Sequence, residues 1–266
     1  MKVLVLVKNV PDSTATIKTK EDGSGIETKG VKFVMNAFCE FAVEAALQFK
    51  EKNAGADAEI TALTVGTADD VSVLRMAYAM GVDKVTHLSD DLFKDLDELT
   101  TARVIAAAIK DGGYDLVLAG KVSIDYDSGQ LGPALAECLG WPHVGAASAI
   151  EWGADFKSAT VRRRIEGAEE VVEIQLPCLL TIEKGLCEPR YPSLPGLMKA
   201  KKKPVDTKDA AAIGFSAGDL SRETCGTTMS EFVPPPPRPP GRKLDGEPEE
   251  IVKELVRILK NEEKLV

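Results

Sequence analysis

The sequence predicts an α/β fold on a twisted parallel sheet. Short apolar runs at 3 to 7 ("VLVLV"), 59 to 65 ("EITALTV"), 84 to 88 ("KVTHL") and 115 to 120 ("DLVLAG") alternate with segments of helical period, the pattern of repeated strand-helix units. The chain also has the material for a full core: 266 residues at 44% hydrophobic and 28% charged content suffice for one large domain plus appendages.

Taken in order, the opening run is five apolar residues ended by Lys8. That is too short for a secretion signal or a membrane span, and it reads as a first buried strand. Phe38, Phe41, Ala42, Ala45, Ala46 and Phe49 then recur at three and four residues, one apolar stripe on a helix that Asn36 is placed to cap. The period returns from Asp69 to Met80 and from Glu98 to Lys110, the latter through Ala102, Ile105, Ala106 and Ile109. Past about residue 145, "VRRRIEGAEEVVEIQL" (161 to 176) reads as an antiparallel hairpin turning at Glu166-Gly167 and added to the main sheet.

Residues 1–205 are expected to form the α/β domain, and 206–266 an extended C-terminal arm. The arm contains "PPPPRPP" (234 to 240), which suits a polyproline linker. It ends in an amphipathic helix opened by Pro248, with Ile251, Val252, Leu255, Ile258 and Leu259 as its stripe. A stiff linker separates that stripe from the core, so a partner subunit and the chain's own domain are both open as its cover.

Charge and cysteine usage exclude some functions. A formal charge of -9 argues against a general nucleic-acid binder. The five cysteines are scattered and never in CxxC spacing, which suggests neither a disulfide frame nor a metal site and fits a reducing compartment, the cytoplasm. His87 and His143 fall at strand positions, where a structural role is the simpler reading. Cys39, in a first helical turn, is read as a buried structural thiol rather than an activated one. No catalytic residue is assigned.

The richest loop is "GKVSIDYDSGQLGPALAECLG" (120 to 140), which leaves one strand and enters a helix carrying Pro133 in its first turn. A glycine-rich strand-to-helix turn at the carboxyl end of a parallel sheet lets backbone N–H groups meet a phosphate, aided by the helix dipole. Gly120, Gly129 and Gly132 permit close approach, and Ser128 and Gln130 offer neutral hydrogen bonds. Asp125 or Asp127 can take a ribose hydroxyl, a loop N–H or a helix cap. Ordinary loop chemistry is the competing explanation, and neither GxxxxGK[ST] nor GxGxxG occurs.

Another stretch, "CEPRYPSLPGLMKAKKK" (187 to 203), sets Leu194 between Pro192 and Pro195 and follows it with Lys199 and Lys201 to Lys203. Together with "VKFVMNAFCEFAVEAALQFKEK" (31 to 52) and "LAGKVSIDYDSGQLGPALAECLGWP" (118 to 142), it resembles the β subunit of electron transfer flavoproteins, in matching order from residue 1 to about 205. The resemblance implies an adenine nucleotide alpha hydrolase-like, Rossmann-like domain with the added hairpin and arm. It implies a heterodimer with an α subunit, which holds most of the redox FAD, while this chain holds AMP.

Carried over by position, the resemblance places AMP against Leu6, against Asn36, Ala37, Phe38 and Cys39, and against Val65. It adds the loop of Gly120, Lys121, Val122, Ser123, Ile124, Asp125, Tyr126, Asp127, Ser128, Gly129, Gln130 and Leu131. It makes Leu194, with Tyr191, Pro195 and Lys199, the docking element for a flavin dehydrogenase such as acyl-CoA dehydrogenase. The function implied is that of an electron carrier subunit with no turnover of its own.

Two departures bear on the nucleotide. Ala37 stands where the family often has proline, and Gly129, Gln130 and Leu131 replace its "NQT". Electron-bifurcating relatives carry a second FAD in place of AMP and show "GDTAQVGP" in the loop and "NPDD" at the helix start. Here "YDSGQLGP" leans toward them and "NAFCE" away, and the missing acidic pair favours AMP. An alternative of another class is an ATP-binding regulator of the universal-stress type, which gives no reason for the segment around Leu194.

Overall fold

The computed structural model describes residues 1–265, and the opening apolar run forms its central strand, β1 (Lys2–Leu6). An antiparallel ribbon of β2 (Asn9–Pro11) and β3 (Phe33–Met35) delivers the chain to helix α1 (Ala37–Lys52). The alternation continues through β4 (Glu59–Gly66), α2 (Val71–Met80), β5 (Lys84–Ser89), α3 (Glu98–Ile109), β6 (Leu116–Gly120) and α4 (Leu131–Leu139). Then come β7 (His143–Trp152), β8 (Ser158–Ile165), β9 (Ala168–Gln175) and β10 (Cys178–Ile182). A short helix α5 (Leu194–Ala200), strand β11 (Asp206–Lys208) and helix α6 (Pro248–Arg257) complete the order.

The main sheet has nine strands in the order β11-β5-β4-β1-β6-β10-β7-β8-β9. Neighbours from β11 to β7 run parallel, and β8 and β9 are antiparallel additions at one edge. Because successive side chains point to opposite faces, Val3 and Val5 pack with α1 and α2, while Leu4 and Leu6 pack with α3 and α4. All four are buried, as the apolar run requires of a strand covered on both sides. Truncating a side chain such as Leu4, fully enclosed here, costs about 2 to 5 kcal/mol.

The strands and helices expected from the sequence are present, with three differences. Helix α1 is buried beyond its expected stripe: Val43, Glu44 and Leu47 are inside as well, because α2 and the segment after β10 cover its outer side. Asn36 is the N-cap residue of α1 but makes no side-chain cap bond, since its amide is engaged elsewhere.

The domain boundary expected after residue 205 falls inside the sheet, for β11 pairs with β5, and Ala210 and Leu220 are buried against the α3 side. Three polar residues joined through their backbones leave no apolar signal, so this edge was not legible. Helix α6 does not pack on the body. Val252 and Leu255 stay exposed, and the ion pairs of the helix outside itself run to Arg242 in the arm and to Glu262 just beyond its end. Residues 234 to 240 form no regular element, as a proline run should. No helix among the described residues is long and apolar enough to cross a membrane.

Candidate nucleotide site and docking segment

From β1 the chain winds outward through β4 and β5, then returns to β6 on the other side of β1. The carboxyl ends of β1 and β6 therefore flank the point where the winding reverses, and ligands of open parallel sheets gather at such a crevice. The first turn of α1 sits directly on this end of the sheet. A Cβ on Gly120 would lie 2.7 Å from Phe38 Cβ and 3.0 Å from the Cys39 nitrogen, so a glycine is what lets the helix start approach the strand. Gly132 does the same for α4, where an added Cβ would collide with the Thr181 methyl on β10.

The loop between β6 and α4 is held from two sides. Asn36, only 1% exposed, donates from Nδ2 to the Val122 carbonyl at 2.9 Å and accepts from the Ile124 amide at 3.2 Å. Lys8, just past the end of β1, forms an ion pair with Asp125 at 2.8 Å and donates to Ser123 Oγ at 3.3 Å. Its ammonium lies 4.3 Å from the centre of the Tyr126 ring. Ser128 Oγ donates to Glu98 at the start of α3.

Asp127 and Gly129 both take left-handed backbone angles, with φ of 53° and 64°, and turn the chain into α4. Beyond that turn the amides of Ser128, Gly129, Gln130 and Leu131 find no protein acceptor among the described residues. These free donors at a helix N-terminus are the groups that meet an anion.

Burial sets the protonation of the neighbouring side chains. Cys39 is enclosed, and desolvation pushes its thiol up against the smaller opposing effect of the Asn36 amide, so it stays neutral. Burial likewise raises the Tyr126 phenol, with Asp125 adding to the effect. His87 and His143 are both lowered by burial and are neutral imidazoles.

The electron transfer flavoprotein domain, as a family model, matches residues 24–213 of this chain. Over 268 residues the chain is 39% identical to the electron transfer flavoprotein subunit beta of Bacillus subtilis (strain 168), covering all of both chains. It is 36% identical over 267 residues to the mitochondrial subunit beta of Arabidopsis thaliana, again over the whole of both. The bovine (Bos taurus) subunit beta is 37% identical over 261 residues, 97% of this chain and 98% of its own. The chain belongs to the electron transfer flavoprotein β-subunit family.

In this β-subunit chain the residues expected to hold a nucleotide do converge on one end of the sheet, but not all are free to bind. Leu6 is buried at the tip of β1, Val65 is half-buried near the end of β4, and Asn36 to Cys39 meet Gly120. Lys121 instead turns to Glu183 in a 2.7 Å ion pair. Asp125 is engaged by Lys8 and by the Tyr126 amide, so of the uses open to it the structure shows the loop N–H. Ser128 is engaged by Glu98. Lys8 and Glu98 were missed from the sequence. For Lys8 the available signal was a cation directly following a buried strand at its carboxyl end.

The segment of the β-subunit chain around Leu194 is a projecting knob. Tyr191 is 97%, Leu194 72% and Met198 64% exposed. Leu194 opens α5, whose first turn holds Pro195 and is capped by Ser193 Oγ accepting from the Gly196 amide at 3.2 Å. Lys199 and Lys201 to Lys203 follow on the same short stretch, all exposed.

Proposed function

We propose that this chain is the non-catalytic half of an α/β heterodimeric electron carrier, holding AMP as a structural ligand and docking a flavin dehydrogenase through Leu194. The observation that carries the reading is the loop after β6. It is fastened by Asn36 and Lys8, yet the amides from Ser128 to Leu131 have no protein acceptor among the described residues. A loop so constrained loses little entropy on binding, and the α4 dipole favours a phosphate there.

The residues present fit an adenylate. Ser128 to Leu131 would hold its phosphate through backbone N–H groups, with Leu6, Val65 and the Asn36–Cys39 turn lining the rest. Two of its side chains are not set for hydrolysis: Cys39 is a neutral, enclosed thiol, and Asp125 is engaged by Lys8. FAD, held mainly by the α subunit, would supply the redox chemistry, with a dehydrogenase such as acyl-CoA dehydrogenase as the electron donor. This chain binds, orients and shields. The stripe of α6, left exposed at Val252 and Leu255, is assigned to the α subunit. The reading places the complex in the cytoplasm.

A second reading, in which a second FAD replaces AMP, is favoured by the loop sequence "YDSGQLGP" and opposed by "NAFCE" at the α1 start. The deciding experiment is to purify the chain with its α subunit and measure flavin and nucleotide after denaturation. One FAD and one AMP per heterodimer is the expected result. Two FAD would establish the second reading, and a colourless homodimer exchanging ATP would remove both. Leu194→Ala is expected to raise KM for an acyl-CoA dehydrogenase while leaving flavin content unchanged.

A further inference from the structure

The projecting segment is fixed at both ends by charged side chains that have no part in the nucleotide crevice. At its entry, Arg190 reaches back to α1. Its Nε donates to Glu44 Oε2 at 2.7 Å and its Nη2 to Glu44 Oε1 at 3.0 Å, while Nη1 and Nη2 donate to Glu51 at 2.6 and 3.0 Å. The Arg190 backbone amide adds a bond to Glu44 at 3.2 Å, and Gln48 donates to the same carboxylate at 2.9 Å.

At its exit, Arg75 on α2 donates to the carbonyl of Ala200 at 2.9 Å and to that of Lys203. Tyr78 donates its hydroxyl to the Pro204 carbonyl at 2.7 Å, and the Lys203 ammonium lies 4.4 Å from the Tyr78 ring centre. Between these points α5 lies so close to α2 that a Cβ on Gly196 would come within 3.1 Å of the Ala79 carbonyl oxygen.

Glu44 is 3% exposed. Arg190 itself stays partly exposed, and an ion pair with one buried carboxylate adds little stability that apolar side chains of the same volume would not supply, because desolvation offsets the attraction. What a forked guanidinium on two carboxylates does supply is orientation. The exposed large apolar side chains of the segment, Tyr191, Leu194 and Met198, all lie between the two fixed points, with Lys199 beside them.

We propose that Arg190 and Arg75 form a bracket that pre-sets residues 191–199 for docking, making Arg190 a positioning residue that acts through Leu194. This rests on the reading of Leu194 as the docking tip. The partner surface it fits is an apolar socket rimmed by carboxylates, matching an aliphatic and aromatic knob with lysines behind it.

The test uses the full chain purified with its α subunit, in Arg190→Lys, Arg190→Ala and the double variant Glu44→Leu/Arg190→Met. The double variant refills the buried space and keeps the fold if an unpaired Glu44 does not. Amide hydrogen exchange of residues 191–199 is expected to quicken while the sheet is unchanged. KM for an acyl-CoA dehydrogenase is expected to rise roughly fivefold to tenfold at constant kcat, since the segment must then be ordered on binding. In the double variant, Leu194→Ala is expected to cost less than in the unaltered protein, because the tip is no longer held ready. Arg190→Lys is expected to fall between, as it keeps the charge and loses the fork.

Unchanged exchange overturns the bracket. Quickened exchange with unchanged KM, where Leu194→Ala alone raises KM, overturns its role in docking and leaves the proposed function standing. If Leu194→Ala alone leaves KM unchanged, the docking reading and this inference fall together.

Discussion

Asn36 and Val122 are joined by a 2.9 Å hydrogen bond that spans 86 residues of sequence and makes the start of α1 and the loop after β6 one unit. The same amide group accepts from Ile124, so both of its polar atoms are used on the loop, and its only bond to the helix is from Nδ2 to Cys39 Sγ at 3.3 Å rather than a cap. Asn36→Ala leaves a part-buried carbonyl and a part-buried N–H without their partner, a loss of about 1 to 3 kcal/mol. Thermal unfolding is expected to shift down accordingly, and the nucleotide content of the purified heterodimer to fall. Asn36→Ser is the sharper variant: serine is a good helix cap but too short to reach Val122. Recovery by serine would mean that capping, not the tether, is the role of this residue.

Glycines at the site separate into those that space demands and those it does not. Gly120→Ala puts a Cβ 2.7 Å from Phe38 Cβ and 2.8 Å from the Phe38 carbonyl carbon, both in a close-packed helix start. An overpacking cost of about 1 to 3 kcal/mol is expected, read as a lower urea midpoint, together with loss of bound nucleotide. Gly25→Ala is the control. Its new Cβ meets only the far end of Lys20 at 3.8 Å, and its backbone is not left-handed, so its midpoint is expected to hold or rise slightly.

The elements legible in the sequence were those whose burial leaves a period. The runs at β1, β4 and β6 and the stripe on α3 needed no tertiary information, and the Glu166-Gly167 turn fixed the β8–β9 hairpin because glycine there takes a φ of 73°. The elements missed are those held by long-range partners. β11 is three polar residues paired through their backbones, and α5 is set by Ser193 and by contact with α2. Glu44 showed a charge on a helix otherwise turned inward, which is a signal that a cation must be near. Nothing local says that the cation is Arg190, 146 residues away. The crevice residues were legible as positions, whereas the engagement of Asp125 by Lys8 and of Ser128 by Glu98 belongs to the assembled end of the sheet.

The cysteines are expected to divide by burial under alkylation at mildly alkaline pH. Desolvation pushes Cys178 up to about 12 and Cys187 up to about 11, and Cys39 is raised by the same cause. With so little thiolate and no access, these three are expected to resist iodoacetamide in the folded heterodimer. Cys138 is exposed on α4 and is expected to react, with Cys225 in the arm slower. Peptide mapping after labelling reads the pattern. Modification of Cys39 at a rate like that of Cys138 would contradict the close packing of α1 on β6.

Two buried histidines predict a particular pH dependence of stability. His87 and His143 both titrate below their usual 6.5, chiefly because burial disfavours the imidazolium, with Arg163 adding to the effect at His143 and Asp70 opposing it at His87. The unfolded chain therefore takes up these protons first as pH falls, and the stability present above pH 6.5 is lost progressively below it until the folded-state values are passed. The carboxylates depressed in the folded state, Glu44 and Asp97 among them, act in the same sense but at lower pH, from their ordinary carboxylate values downward. Glu40 opposes both, since burial raises it and the folded chain binds its proton first. Urea midpoints measured in a Glu40→Gln background between pH 7 and 5 are thus expected to fall with decreasing pH. Replacing His87 and His143 by glutamine is expected to flatten that slope, because these two imidazoles then no longer take up protons on unfolding in this window; a slope that survives both replacements would place its origin in other groups.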